Sequence, residues 1–368
     1  MTKNNKNIFQ LPVGFTKIAY SLIMGFAPAN TVEAFRTSGF LGFEVCKGDV
    51  RITKDNVLIM SHNAAFTIDD ENKTILYYDK DNHTPIRDLT WKELSELRYN
   101  AHHEDFGYFA TPCTIDDYLR VCNEWNMIPF ITLRDEYISD VVRLTKEALT
   151  RWGFKEKCII NSFSKETLLE ARKLLPYTWL HNVHKPGEII TMADYQFCKD
   201  NYPCILGLYN FTEQEKSAYD IPGFYEKIKH VIDACKEDSI PIMEAQIWSK
   251  KHLKKAIELG YQGGQCICIS NPPNREFKFS VIKTTDRWDF VKNSFFEVSG
   301  TIDFKEGKLL IKCDDILGTW QKNMDCQVSA SSKDTEIVYS KSIPEKLCYE
   351  VFPKNVSDGM IIHLTIKF

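Results

Sequence analysis

Short apolar runs alternate with stretches of helical period from residue 15 to about residue 275. The runs of strand length are "KIAY", "GFEVCKGDV", "VLIMSH", "IPFITLR", "KCIINSF", "TWLHNV", "CILGLY", "IPIMEAQI" and "GGQCICI". Helices are predicted between them at 31–39, 114–126, 137–152, 164–174, 223–236 and 249–259. This alternation is typical of a parallel sheet covered by helices, and so many units favour a closed (β/α)8 TIM barrel. A doubly wound sheet is the alternative, but no G-x-G-x-x-G follows the first strand.

Residues 63–113 interrupt the alternation with a polar, turn-rich segment that contains only a short helical pattern at 90–97. We interpret this segment as an insertion over the barrel mouth. Its loop "AHHEDF" holds His102 and His103 next to two acids. Adjacent side chains point apart, so a solvated loop is favoured there over a metal site.

The pattern changes again near residue 285, where apolar and polar residues begin to alternate with period two between glycine-containing turns. Short strands of this kind predict an all-β sandwich. The predicted organisation is therefore a barrel at 15–280 and an accessory β-sandwich module at 285–368.

The composition argues against several classes of partner. The 46 basic and 50 acidic residues give a net charge of −4, so no global basic field attracts nucleic acid. The 12 cysteines show no C-x-x-C spacing, and no apolar run reaches the roughly 18 residues of a membrane span. Since the first residues also lack a signal-peptide pattern, we expect a cytoplasmic protein with a small-molecule ligand and no nucleic-acid partner.

A series of short motifs occupies residues 18–62. In order, they are Tyr20-Ser21-Leu22, Pro28-Ala29-Asn30-Thr31, Lys47-Gly48-Asp49-Val50, Thr53-Lys54-Asp55 and His62-Asn63. Their spacing resembles the glycerophosphodiester phosphodiesterase family, which shows His-Arg-Gly, Pro-Glu-Asn-Thr, Glu-x-Asp-Val, Lys-Asp and His-Asp at these places. The resemblance covers residues 15–275 and implies a TIM barrel that hydrolyses phosphoric diesters of glycerol. It also implies Mg²⁺ or Ca²⁺ held by carboxylates, with two histidines as acid and base.

Most of the reactive positions of that family carry other residues here. Tyr20 stands at the first histidine, Ser21 at the arginine, Lys47 at the first metal carboxylate and Thr132 at the late-strand carboxylate. Asp49 and His62 are retained, while Arg134 stands where the family usually has lysine. One carboxylate next to an ammonium group is a poor ligand set for Mg²⁺, so we expect no metal and a mechanism different from the family's.

The spacing of these residues predicts which side chains meet. Lys47 and Asp49 are two residues apart on one strand and therefore share a face, as do Thr132 and Arg134 on another. We predict His62 and Asp49 as catalytic residues, and Lys47, Arg134, Tyr20 and Glu244 as phosphate-binding residues. Glu244 is included because it shares a predicted face with Gln246 and, as a buried acid, needs a cationic partner.

Two functions remain open at this stage. The first is a phosphodiester hydrolase with an altered site, in which His62 is the base and Lys47 or Arg134 replaces the charge of the metal. The second is a catalytically inactive barrel that binds a glycerophosphodiester, a sugar phosphate or a glycan, or that serves as an interaction scaffold. The sequence does not decide the oligomeric state or the role of the β module.

Overall fold

The computed structural model describes residues 8–20, 28–76, 83–99, 110–134, 137–185, 188–209, 223–247, 250–266, 276–291, 300–313, 327–333, 337–343 and 348–367. Eight parallel strands form a sheet that closes on itself through pairing of its first and second members. These barrel strands are β1 (Thr16–Ala19), β2 (Val45–Ile52), β3 (Ile128–Leu133), β4 (Ile159–Ser162), β5 (Trp179–Val183), β6 (Cys204–Leu208), β7 (Ile242–Ile247) and β8 (Gly263–Cys266). The predicted TIM barrel is confirmed.

A helix lies between each pair of successive barrel strands. The helices are α1 (Val32–Phe40), α2 (Ile115–Glu124), α3 (Ile138–Arg151), α4 (Lys165–Leu174), α5 (Met192–Asp200), α6 (Phe224–Glu237) and α7 (Lys250–Glu258). Thr114 caps α2 through a capping box with Asp117, which satisfies backbone donors at the first turn. Six of the seven helices were predicted, whereas α5 was not.

The inner face of the barrel has an apolar layer at the amino-terminal ends of the strands. Each barrel strand except β8 contributes to this layer, which consists of Ile18, Val45, Ile128, Phe130, Ile159, Trp179, Ile205 and Met243. Ile8, Phe9 and Leu11 pack against it, and the Trp179 indole donates a hydrogen bond of 2.9 Å to the Phe9 carbonyl. Trp179 is thus a packing residue at the closed end of the barrel and not a ligand platform at its mouth.

The insertion has more regular structure than its polar sequence predicts. After a short strand (Leu58–Met60) antiparallel to β2, the strands Ala65–Asp69, Thr74–Leu76, His83–Pro85 and Arg98–Tyr99 form a small four-stranded sheet. The helix Trp91–Ser95 and the 3₁₀ turn Ile86–Asp88 complete it. A core of its own, which includes Phe66, Ile75 and Leu94, stabilises this sheet. The loop with His102 and His103 lies outside the described residues.

The described residues from Glu276 onward form a second compact unit. It contains two four-stranded antiparallel sheets. One holds the strands Glu276–Lys283, Trp288–Phe290, Gln327–Ser331 and Ile361–Lys367, and the other holds Gly300–Lys305, Lys308–Cys313, Ile337–Ile343 and Cys348–Pro353. The unit begins earlier than the predicted residue 285, because the strand Glu276–Lys283 pairs with the carboxy-terminal strand Ile361–Lys367.

Two further features of the described chain concern its chemistry. None of its helices combines the length and apolarity that crossing a lipid bilayer requires. Eight of its cysteines are free and buried, where a thiol packs as a small apolar group.

Candidate functional site

A buried cluster of charged side chains lies at the carboxyl ends of β2 and β3. Asp49 is completely buried, and both of its carboxylate oxygens lie 2.8 Å from Lys47 Nζ. Arg134 donates a hydrogen bond to the same carboxylate through Nε, at 2.5 Å from Oδ1. The predicted shared faces of these strands are therefore confirmed by contact. Burial alone would raise the pKa of Asp49, but the two cations lower it well below its usual value.

The Pro28–Thr31 motif fixes Asp49 from a second direction. Asn30 accepts a hydrogen bond of 2.9 Å from the Asp49 backbone N–H and donates one of 3.3 Å to its carboxylate. Asn30 has a φ of 59°, a left-handed conformation that asparagine tolerates better than most residues. The next residue, Thr31, caps α1 through the Ala34 backbone N–H. The motif therefore couples the start of a helix to the central carboxylate.

Gly48 and Arg51 hold the backbone around this cluster. Gly48 faces outward, where an added Cβ would lie 2.4 Å from the terminal methyl group of Met60, so a larger residue between Lys47 and Asp49 would require that side chain to shift. Arg51 donates hydrogen bonds to the backbone carbonyls of His62 and Arg134. This one guanidinium therefore positions the chain at two of the predicted site residues.

A hydrogen-bonded row crosses the barrel below the mouth. Asn161 donates 2.8 Å to the Thr132 hydroxyl, and its carbonyl oxygen lies 2.7 Å from His181 Nδ1. The Asn161 amide points its donor at Thr132, so His181 Nδ1 carries the proton. Burial lowers the pKa of His181 to about 3, which keeps the ring neutral. Gly207 makes room for it, since an added Cβ would lie 2.7 Å from the imidazole.

Tyr20 and His62 flank the charged cluster with opposite acid–base properties. The Tyr20 ring lies 4.4 Å from Lys47 Nζ, and burial followed by the charge of Asp49 raises its pKa. Tyr20 is therefore a neutral hydrogen-bond donor. Partial burial lowers the pKa of His62 despite the opposing attraction of Asp49, so its imidazole is mainly neutral at pH 7. Burial also lowers the pKa of Lys47 to about 8, although Asp49 opposes this shift.

These residues surround a cavity of about 410 Å³ at the barrel mouth. Its described lining combines cations, aromatic rings and carboxamides: Tyr20, Lys47, His62, Arg134, Asn161, Phe163, Val183, Lys185, Tyr209, Ala245, Gln246 and Gln265. Each of the eight barrel strands supplies or leads into at least one of these positions, as at the ligand sites of TIM barrels.

The structure brings five of the six predicted site residues together. Tyr20, Lys47, His62 and Arg134 line the cavity, and Asp49 lies buried against Lys47 and Arg134. Their catalytic or binding roles stay predictions.

Glu244 is placed differently from what we expected. Its neighbours Met243 and Ala245 face the barrel interior, so Glu244 points to the outer face of β7, where it is completely buried. The register with β8 shifts between Glu244 and Ile247, and Gln246 reaches the cavity after this irregularity. Lys47 and Arg134, two cations that could have paired with it, both contact Asp49.

Sequence reasoning missed several residues of the lining. Asn161, Phe163, Lys185 and Gln265 were not singled out, although each lies at an inward position once strand parity is known. Tyr209 also lines the cavity, whereas Trp248 and Ser21 lie outside the described residues.

The described residues do not fit a divalent cation. Mg²⁺ and Ca²⁺ require several oxygen ligands, preferably carboxylates. The one carboxylate of the cluster already accepts hydrogen bonds from Lys47, Arg134 and Asn30, and Lys47 occupies the position next to it. Across the described ranges, no group of three or more His, Cys, Asp or Glu side chains is arranged to hold a metal ion.

The fold and the cavity define the class of protein as a TIM barrel with a cavity lined by basic side chains at the carboxyl ends of its strands. Residues 24–202 match the model of the Glycerophosphoryl diester phosphodiesterase family. A glycerophosphodiester phosphodiesterase of Caldanaerobacter subterraneus subsp. tengcongensis is 20% identical over 240 residues, which are 64% of this chain and 87% of that protein. Over residues 24–202 this chain therefore matches the glycerophosphodiester phosphodiesterase family, as the motifs indicated.

Solved structures support the same fold. An Oleispira antarctica phosphodiesterase in complex with the product sn-glycerol-3-phosphate aligns with a TM-score of 0.54 at 16% identity, over 69% of this chain and 93% of that chain. A glycerophosphodiester phosphodiesterase from Parabacteroides distasonis aligns with a TM-score of 0.51 at 16% identity, over 69% of this chain and 94% of that chain.

Proposed function

We propose that the barrel mouth binds the phosphate of a glycerophosphodiester and that Lys47 and Arg134 replace the divalent metal which the family resemblance implies. The observation that carries this proposal is the double engagement of Asp49 by these two cations. A carboxylate held in this way is a poor metal ligand, whereas the cluster of two cations and one anion keeps a net charge of +1. That charge favours an anionic ligand.

Arg134 is the residue best placed to contact the phosphate. It uses Nε for Asp49, and in the described part of the chain neither of its Nη groups has a hydrogen-bond partner. The two Nη groups can therefore donate to phosphate oxygens in the cavity that Arg134 lines. Asp49 serves to orient the guanidinium and to reduce the cost of burying two positive charges.

Hydrolysis at this site would use His62 and Tyr20. Neutral His62 can accept the proton of the attacking hydroxyl group or water, and protonated Tyr20 can donate a hydrogen bond to a phosphoryl oxygen. Lys47 and Arg134 would stabilise the negative charge of the transition state. In this mechanism, the P–O bond to the leaving alcohol breaks as the new P–O bond forms, the proton of the attacking group passes to His62, and the leaving alkoxide takes a proton from water.

A specific observation favours the second function, binding without turnover. His62 is the one imidazole among the described lining residues, so the acid–base pair of the family is reduced to a single histidine. An unassisted leaving alcohol would make turnover slow. Such a protein would still bind the phosphodiester but would no longer hydrolyse it.

The test measures turnover and binding on the full chain. Alcohol release from a panel of glycerophosphodiesters would be followed with Mg²⁺, with Ca²⁺ and with EDTA. The variants are His62→Ala and, as a matched control, His363→Ala, which removes an exposed imidazole in the second unit. Binding of sn-glycerol 3-phosphate would be measured by thermal shift, since a ligand at 100 times its Kd stabilises by about 2.7 kcal/mol.

The outcomes separate the candidates. Turnover in EDTA that His62→Ala abolishes and His363→Ala retains supports the metal-free hydrolase. Stabilisation without turnover supports the binding protein. Turnover that requires a metal would contradict the proposed role of Lys47 and Arg134. The cytoplasmic location stays a prediction.

A further inference from the structure

The electrostatic character of the cavity bears on which phosphodiester it accepts. Three basic side chains, Lys47, Arg134 and Lys185, line it, and its described lining contains no aspartate or glutamate. Asp49 lies buried beneath the lining and is already paired with two of these cations. A phosphate is attracted to this cavity, but a positively charged group attached to that phosphate meets no carboxylate among the described lining residues.

The aromatic rings of the cavity do not compensate for this. Aromatic faces can hold a quaternary ammonium group through cation–π contacts. Here Lys47 Nζ already lies 4.4 Å from the centroid of the Tyr20 ring, and the Arg134 guanidinium lies 5.5 Å from that of Phe163. An ammonium group placed on those rings would approach a cation of the protein.

The remaining polar lining suits hydroxyl groups. Gln246 and Gln265 project carboxamides from β7 and β8, and each carboxamide can both donate and accept hydrogen bonds. Gln265 is only 3% exposed, which makes it costly to leave its amide without a hydrogen-bonding ligand or water. Tyr209 adds an aromatic ring on which a sugar or cyclitol face can pack.

We infer that the alcohol esterified to the phosphate is an uncharged polyol, such as a cyclitol, a sugar or a second glycerol, and not a cationic amino alcohol. This inference rests on the proposed function, since it assumes that the phosphate lies against Arg134. Charge then selects against the amine, and the carboxamides of Gln246 and Gln265 select for hydroxyl groups.

The experiment compares four diesters of glycerol 3-phosphate that share the phosphate and differ in the second alcohol. Glycerophosphoinositol and glycerophosphoglycerol are the polyol probes, and glycerophosphocholine and glycerophosphoethanolamine are the cationic probes. Their Kd values would be measured by calorimetry on the full chain in EDTA, with His62→Ala used if the diesters are hydrolysed. We expect the polyol diesters to bind at least tenfold more tightly than the cationic diesters.

Two sets of variants test the cause of the preference. Lys185→Glu places a carboxylate at the rim and should lower the ratio of polyol to choline affinity severalfold, whereas the matched neutral variant Lys185→Gln should lower it less. Gln265→Leu should weaken the polyol diesters about fivefold, the equivalent of one hydrogen bond, and leave glycerophosphocholine unchanged. Gln246→Leu provides a second carboxamide variant if Gln265→Leu does not fold.

The outcomes distinguish this inference from the proposed function. Equal or tighter binding of the cationic diesters would overturn the inference and leave phosphodiester binding intact. A polyol preference that survives both carboxamide variants and Lys185→Glu would overturn the assigned cause. Absence of binding for all four diesters would overturn the proposed function and the inference with it.

Discussion

The two ends of the barrel interior are built by the same strands with opposite chemistry. At the amino-terminal end, residues such as Val45, Phe130 and Ile205 form a buried apolar layer closed by the segment around Phe9. Two to four residues further along the same faces, the side chains become charged or amide-bearing. The apolar end gains stability from burial that needs no particular partner. The mouth depends on specific pairing, because a buried charge is costly when its partner is removed.

Because of this difference, we expect the stability of the mouth to depend on individual polar atoms and that of the closed end to depend on the volume of the side chains. Lys47 is buried only because Asp49 lies 2.8 Å away, and Arg134 contacts the same carboxylate. At Ile205, an apolar side chain of similar volume needs no specific partner. The predictions below test this contrast in order of decreasing effect.

Asp49→Asn should give the largest loss, about 3–5 kcal/mol in the free energy of unfolding, because it leaves Lys47 buried without a carboxylate. Urea unfolding monitored by tryptophan fluorescence would measure it. Adding Lys47→Met should restore part of the loss, since the unpaired charge is then removed. A single-variant loss below about 1 kcal/mol would show that water reaches the cluster and that the pairing is not essential.

Ile205→Ala should destabilise the closed end by about 2–5 kcal/mol through the cavity that it leaves. Ligand affinity at a temperature where the variant is fully folded should stay within about twofold of the parent, because the layer does not line the mouth. A larger change in affinity would mean that the two ends are coupled and would weaken the comparison.

Asn30→Gly should cost about 1–3 kcal/mol, since it removes two hydrogen bonds to Asp49 while glycine tolerates the positive φ. The matched control is Asn126→Gly, an exposed asparagine with a φ of 51° in the same unit. It should change stability by less than about 0.5 kcal/mol. Equal effects of the two variants would show that the contacts of Asn30 do not stabilise the site.

His181 should make the free energy of unfolding depend on pH. This is the smallest of the four expected effects when it is taken over one pH unit. Burial holds its folded pKa near 3, below the ordinary value near 6.5, so the unfolded chain binds the extra proton first as the pH falls. Stability is therefore fully present above pH 6.5 and decreases by about 1.4 kcal/mol per pH unit below it. In His181→Gln the slope between pH 6 and pH 5 should be smaller by this amount. An unchanged slope would mean that His181 is protonated in the fold.

The sequence predicted those features that follow from strict periodicity. Strand–helix alternation indicated the barrel, and the two-residue spacing of Lys47, Asp49, Thr132 and Arg134 correctly predicted shared faces that meet. The family motifs also predicted where Tyr20 and His62 lie. Their roles in binding or catalysis remain to be tested.

Features that depend on local irregularity or weak patterns were not predictable. Helix α5 was missed because its described buried positions are Asp194 and Cys198, which give no apolar stripe. The small sheet of the insertion was not predicted because each of its strands buries few residues, which leaves the sequence of this segment mainly polar. Glu244 was misplaced because one extra residue in β7 changes which side chains face inward, and the sequence does not mark that residue.

The irregularity in β7 also affects how this chain should be compared with its relatives. Glu244 pairs with Gly264 and Ile247 pairs with Cys266, so β7 has one more residue than β8 between these two pairs. As a result, the consecutive residues Ala245 and Gln246 both line the cavity. A gap-free alignment across this strand would pair inward residues with outward ones in any homologue that lacks the extra residue. Residue conservation at the end of β7 is therefore interpretable only after the strands have been superposed in three dimensions.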